Sequence, residues 1–204
     1  MKIAIVDYNM GNLRSVKNAF DKIGADAVIE KDPEKLLHYH KMILPGVGAF
    51  GDAMEHLRSS GLLEAIREFA ASGKAMLGIC LGMQLLFDKS SEFGEHEGLG
   101  LIPGEVVPFD KSRFPHPLKV PHMGWNELFV QKETPLFAGL PKAFYLYFVH
   151  SYHVVCDDAY AIGKTVYGYE FVSAVQKDNI YGLQPHPEKS HANGLKILKN
   201  FMEL

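Results

Sequence analysis

The sequence predicts an α/β protein: a doubly wound, mostly parallel sheet flanked by helices, with antiparallel strands added in the second half. Three observations carry this reading. Short apolar runs alternate with helical patterns over residues 2–86. One of these runs, residues 75–79, turns into a helix through a glycine-flanked cysteine. Beyond Gly104 the pattern changes to short alternating stretches separated by turn residues.

Residues 2–7 are nearly continuous in apolar character, which suits a strand covered on both faces. Residues 8–12 make a loop, after which Leu13, Val16, Phe20 and Ile23 recur on one helical face. Gly24 is a natural helix stop, and Ala27-Val28-Ile29 starts a second strand. Residues 33–39 read as a short helix. Met42-Ile43-Leu44 reads as a third strand, ending in Pro45-Gly46-Val47-Gly48. Two helical patterns follow, 52–58 and 62–71, broken at Ser59-Ser60-Gly61, before the strand that runs into Cys80. Residues 98–104 read as a loop and 105–109 as a strand. Within 110–185, the stretches 145–152, 161–166 and 171–176 read as antiparallel strands. Leu195, Leu198, Phe201 and Met202 share a face of a closing helix. There is no internal repeat, low-complexity segment or linker, so residues 1–204 read as a single domain.

Composition narrows the function. Hydrophobic residues make up 47%, ample for a core, and charged residues 22%, an ordinary share. A formal net charge of −3 leaves no basic footprint, so nucleic acid is not an expected partner. No apolar run approaches the ~20 residues of a membrane helix. The chain enters a strand directly, so no signal peptide is expected. Two cysteines, Cys80 and Cys156, make no disulfide framework, and a reducing cytoplasm is the expected location. Cys156 follows Val154-Val155 and reads as a buried strand end.

Gly78-Ile79-Cys80-Leu81-Gly82 has the spacing of a nucleophile elbow, which forces its central residue into a strained backbone and lifts its side chain off the sheet. Missing Cβ atoms at the two glycines let strand and helix approach. The first helical turn favours a thiolate over a thiol, and the Leu81 N–H is placed to meet an oxyanion. A lone cysteine on an apolar strand is most often an inert core residue; what sets Cys80 apart is a matching base. Gln184-Pro185-His186-Pro187-Glu188 supplies it. Pro187 holds His186 extended, and in an extended chain Glu188 projects to the same side and orients the imidazole. The expected order is Cys80 as nucleophile, His186 as base, Glu188 as orienter. Glycines on both sides of Val47 leave its peptide free to rotate, making its N–H a candidate second oxyanion donor. Metal binding is not expected. His150 and His153, three apart on one strand, fall on opposite faces, and His38 and His40 lack a third ligand.

Together the two motifs resemble the class I (triad) glutamine amidotransferases, over essentially the whole chain. Further stretches resemble one branch of that family: Asp7-Tyr8-Asn9-Met10-Gly11-Asn12-Leu13, Pro45-Gly46-Val47-Gly48-Ala49-Phe50, Pro121-His122-Met123-Gly124-Trp125-Asn126 and Phe148-Val149-His150-Ser151-Tyr152. That branch comprises the glutaminase subunits of a histidine-biosynthetic synthase. The resemblance implies a flavodoxin-like fold and hydrolysis of glutamine to glutamate and ammonia through a thioester on Cys80. It implies no cofactor, and a heterodimer with a cyclase (synthase) subunit that uses the ammonia. It further implies that Gly48, Gln84, His150, Ser151 and Tyr152 hold the amino-acid end of glutamine, and that Asn12, Trp125, Tyr147 and Lys189 face the partner. Because ammonia in neutral water is mostly protonated, it must pass directly to the acceptor site. No second catalytic constellation is legible, so that site is expected on another polypeptide. A glutaminase serving a different synthase, a stand-alone cysteine hydrolase and a catalytically dead binding module are the alternatives; the intact Cys80, His186 and Glu188 argue against the last.

Overall fold

A computed structural model describes residues 1–204. The apolar runs become β1 (Lys2–Val6), β2 (Asp26–Glu30), β3 (Lys41–Leu44) and β4 (Met76–Ile79), all mutually parallel. Side chains alternate across the sheet, as the pleat requires. Ile3 and Ile5 join one buried cluster with Ile43 and Leu77, while Ala4 and Val6 join the other with Met42 and Leu44. Helix α1 (Leu13–Lys22) covers the first face through Val16 and Phe20. Helices α2 (Pro33–Leu36), α3 (Phe50–Ser59) and α4 (Leu62–Ala71) cover the second through Leu36, Leu57 and Ile66. Helix α2 is shorter than the sequence suggests. Its continuation is drawn off where the His40 N–H donates to the Lys2 carbonyl of β1 at 3.0 Å in place of a helical carbonyl.

After β4 come α5 (Leu81–Leu85), β5 (Phe87–Ser90), β6 (His96–Glu97), β7 (Ile102–Pro108), β8 (His122–Val130) and β9 (Ala143–His150). Then follow β10 (Tyr152–Val155), β11 (Ala161–Tyr167), β12 (Tyr169–Lys177), β13 (Ile180–Leu183) and α6 (His191–Glu203), which packs Leu198 and Phe201 on the α1 face. All thirteen strands join one sheet, in the order β2-β1-β3-β4-β13-β12-β10-β7-β5-β6. A side branch has β11 pairing β12 and β8, and β8 pairing β9.

The antiparallel strands expected in the second half are present, and three features go beyond the expectation. First, β13, antiparallel to β12, runs parallel to β4, pairing Gly182 with Gly78 and Leu183 with Ile79. It follows from the hairpin β12–β13, because a strand antiparallel to its antiparallel neighbour rejoins the original direction. Residues after Leu183 therefore emerge at the carboxyl edge, beside the elbow. Second, β5 was not expected; it pairs parallel with β7 once α5 stops after one turn. Third, the stretch 145–152 is broken at Ser151 into β9 and β10, which pair with different strands. The opposite-face argument for His150 and His153 fails at that break. Both rings are buried against Phe109, at 5.2 and 5.0 Å between centroids.

Candidate active site

Cys80 sits between β4 and α5 with φ 55° and ψ −113°, a conformation L-residues avoid. Its N–H donates to the Leu183 carbonyl at 2.7 Å, tying the elbow to β13. The glycine at 82 is obligatory there: a Cβ on Gly82 would lie 1.8 Å from the Leu44 carbonyl oxygen. The strand-to-helix approach expected from the spacing lies at Gly78, where a Cβ would be 2.6 Å from the Gly82 carbonyl oxygen; the contact of Gly82 with β3 was not foreseen.

The candidate base, His186, arrives from the other side of β4. The chain leaves β13 at Leu183, and the His186 N–H donates to the Tyr147 carbonyl at 2.9 Å, docking the segment on β9. His186 is extended (φ −98°, ψ 97°), as a residue before proline should be. Glu188 reaches it differently from the expectation, since residues Pro187–Lys189 form a 3-10 turn instead of continuing the extension. The result is a His186 Nδ1 to Glu188 Oε1 distance of 2.7 Å, with both side chains almost fully buried. A carboxylate only accepts, so Nδ1 carries the proton and Nε2 is the atom left for chemistry. Nε2 is buried without a hydrogen-bond acceptor in the chain. Burial pulls the imidazole pKa down, but the Cys80 charge and the Glu188 carboxylate outweigh it and raise the pKa above the ordinary histidine range. That favours the imidazolium form of His186.

Cys80 and His186 open on a cavity of about 350 Å³. Its wall brings together Val47, Gly48, Leu81, Gln84, His150, Ser151 and Tyr152, every substrate and oxyanion candidate of the sequence. A larger cleft, of about 760 Å³ and lined by residues between Val130 and Lys142, contains no member of this constellation. The Leu81 N–H, at the first helical position, has no acceptor one turn back. The Val47 N–H makes no hydrogen bond within the chain. Just before it, the Pro45 carbonyl is held by the Tyr8 hydroxyl at 2.6 Å, and a Cβ on Gly46 would lie 2.4 Å from that hydroxyl. Burial and the Cys80 charge keep the Tyr8 phenol protonated.

Sequence reasoning gave no role to Glu92, Pro121 and Val149, which line the same cavity, nor to Tyr8 and Gln184. Glu92 lies in an irregular loop without periodic signal. One of its oxygens accepts the Phe50 N–H at 2.8 Å, and burial raises its pKa. Gln84 is more constrained than expected: its Nε2 donates to the Tyr152 carbonyl at 3.2 Å and to Gln184 Oε1 at 3.1 Å, leaving Oε1 for a ligand.

The four partner-facing candidates lie on or next to one surface. Trp125 and Tyr147 pair across β8 and β9, with ring centroids 6.1 Å apart. The indole, 47% exposed, stacks on His191 at 5.0 Å, and His191 lines a shallow cleft with Lys189 and α1. Asn12, exposed, caps α1 by accepting the Ser15 N–H at 3.3 Å. No three His, Cys, Asp or Glu side chains gather where they could hold a metal ion. No helix is long and apolar enough to cross a membrane. Cys156 follows β10 half-buried, its thiol pKa pushed up to about 11 by burial and the nearby Asp158 and Asp157.

Comparison with known proteins adds four findings. The family model for class-I glutamine amidotransferases matches residues 4–204. The imidazole glycerol phosphate synthase subunit HisH of Sulfurimonas denitrificans is 72% identical over 98% of this chain and 96% of its own length. The same subunit of Wolinella succinogenes is 61% identical over 99% of both. Among solved structures, Thermotoga maritima PurLQS superposes with a TM-score of 0.77, covering 99% of this chain and 97% of that one at 22% identity, which establishes a shared fold.

Proposed function

Because the chain belongs to the class-I glutamine amidotransferases, we propose that it is the glutaminase subunit of an imidazole glycerol phosphate synthase, acting as a single domain of residues 1–204. The observation that carries this reading is the buried His186–Glu188 pair beside a strained cysteine in one cavity.

Cys80 Sγ attacks the side-chain amide carbon of glutamine, and the Leu81 and Val47 N–H groups receive the oxyanion. His186 gives its proton to the departing nitrogen, ammonia leaves, and a γ-glutamyl thioester remains on sulfur. Water then attacks the thioester, His186 taking its proton, and glutamate is released. Glutamine and water thus become glutamate and ammonia with no cofactor in the scheme. Glu92 is the one carboxylate in the cavity wall, and with Gln84 Oε1 it offers acceptors to the substrate's α-ammonium. Gly48, His150, Ser151 and Tyr152 close around the same end.

The ammonia passes through a channel to the cyclase subunit, which makes imidazole glycerol phosphate and AICAR in a lyase reaction of histidine biosynthesis, in the cytoplasm. The cyclase covers Asn12, Trp125, Tyr147 and Lys189. Coupling runs through the Gly46–Val47 peptide, which turns the Val47 N–H toward the oxyanion when the partner binds its nucleotide ligand. One donor is worth ~10²–10³ in turnover, enough to separate silent from active states. The test is a steady-state glutaminase assay of the chain alone, with the cyclase subunit, and with subunit and ligand. Low activity alone and strong activation by partner and ligand is expected. Full activity of the isolated chain, unchanged by either, would instead identify a stand-alone hydrolase.

A further inference from the structure

We propose that Gln184 is a positioning residue for the Cys80 thiolate, turned toward the sulfur by a hydrogen-bond chain anchored on the Tyr152 backbone carbonyl. The proposal rests on Cys80 being the nucleophile and adds what holds its sulfur.

One group at this site has no choice of role. A backbone carbonyl only accepts. The Tyr152 carbonyl meets Gln84 Nε2 at 3.2 Å, so the Gln84 amide must present its NH₂ there. The second N–H of that NH₂ meets Gln184 at 3.1 Å, so the Gln184 atom facing it must be oxygen. The Gln184 NH₂ is thereby pointed the other way, to Cys80 Sγ at 3.7 Å. Gln184 is fully buried, so water cannot replace this donor. The sulfur has one other polar contact of this kind, the Val149 carbonyl at 3.8 Å. The two contacts make opposite demands. A thiol donates to Val149; a thiolate can only accept, and Gln184 is a donor in place beside the protonated His186. Losing the proton moves the sulfur from one partner to the other.

A second branch from the same carbonyl locks the anchor. His150 Nδ1 lies 2.8 Å from it and must donate, so His150 Nε2 accepts from His122 Nδ1 at 2.9 Å. His122 Nε2 then accepts from Asn126 at 3.1 Å, whose amide is fixed by the Val166 carbonyl at 2.9 Å. The chain runs without a conflict of role from the β8 strand to the sulfur.

The experiment is the pH dependence of Cys80 alkylation by iodoacetamide in the full chain, wild type against Gln184→Met, with peptide mapping to separate Cys80 from Cys156. The titratable groups around the sulfur are His186, backed by Glu188, Tyr8, and His150 and Glu92 in the cavity wall; the substitution changes none of them. The alkylation midpoint should rise by about one pH unit, equivalent to about 1.4 kcal/mol. In the cyclase complex, kcat should fall about tenfold with KM unchanged. An unmoved midpoint accompanied only by a lower Tm would make Gln184 a core filler and overturn the proposal. Should Gln184→Met not fold, the wild-type Gln184 side-chain amide resonance is followed instead. It should shift as Cys80 titrates, and a fixed resonance overturns the proposal equally. Alkylation needs no glutamine, so its outcome is separable from that of the glutaminase assay.

Discussion

Strands β1 and β4 bury only apolar side chains and a glycine, whereas the appended strands bury His122, His150 and His153 together with a Thr165–Ser173 hydroxyl pair bonded at 2.8 Å. The parallel half confines its polar groups to strand ends, Lys41 at the start of β3 among them, and places its chemistry where backbone groups run out of partners. The appended half places polar groups inside and satisfies them with one another. The difference explains why one half holds Cys80 rigidly while the other supplies a wall rich in oriented donors and acceptors.

The largest effects are expected where the halves meet at the triad. Cys80→Ser should abolish glutaminase activity in the complex while leaving the fold intact, and a variant retaining a tenth of wild-type turnover would refute the nucleophile. His186→Ala should be nearly as damaging and Glu188→Gln milder, since an orienter is usually worth less than the group it orients. Equal and negligible losses from both would mean that the buried pair is only structural.

Next comes rigidity. Gly82→Ala sets a Cβ against the Leu44 backbone oxygen, and nothing there can move without disturbing β3, so urea unfolding should show a loss of more than about 3 kcal/mol. Wild-type stability in that variant would show that the elbow is not tightly packed.

The two regions should also answer pH in opposite senses. Burial lowers the pKa of His122 to about 4, and those of His150 and His153 as well, so the unfolded chain binds more protons there. Their contribution is complete above the ordinary value of about 6.5 and is lost as pH falls toward 4. From His122 alone, the loss between pH 7 and pH 5 should be roughly 2 kcal/mol. His186 is the reverse case: its raised pKa contributes below about 6.5 and is lost as pH rises through its folded value. Denaturant midpoints across pH check this, and His122→Asn should flatten the acid limb alone. An acid limb unchanged by His122→Asn would remove the cluster from the account.

The smallest effect expected is that of Gly163→Ala. Its Cβ meets the Leu128 side chain, the nearest atom 2.7 Å away, and a side chain can rotate where a backbone cannot. A loss of about 1 kcal/mol is expected in the same unfolding assay, against more than three times that at Gly82. Equal losses would erase the contrast between the two halves.

The parallel core and the motifs that carry Cys80, His186 and Glu188 were legible in the sequence because each is local. Apolar runs, helix stops and the glycines around Cys80 each act within a few residues. What was not legible depends on pairing at long range. The parallel placement of β13 follows from β12 lying antiparallel to its neighbour, which no window around Ile180 records. The break at Ser151 appears only because β9 and β10 find different partners, and it is that break which gathers the histidines. Glu92 enters the cavity from a loop whose position is set by a bond to Phe50. Gln184 was in plain view inside the histidine motif, yet its role depends on Gln84, one hundred residues away.

The central claim, that Cys80 attacks glutamine with His186 as its base, is tested most directly by trapping the intermediate. The cyclase complex is mixed with glutamine, quenched in acid during turnover and analysed by peptide mass spectrometry. One γ-glutamyl group is expected on the peptide carrying Cys80, absent in Cys80→Ser and sharply reduced in His186→Ala. Turnover of glutamine with no adduct on Cys80, or with the group on another residue, would contradict it.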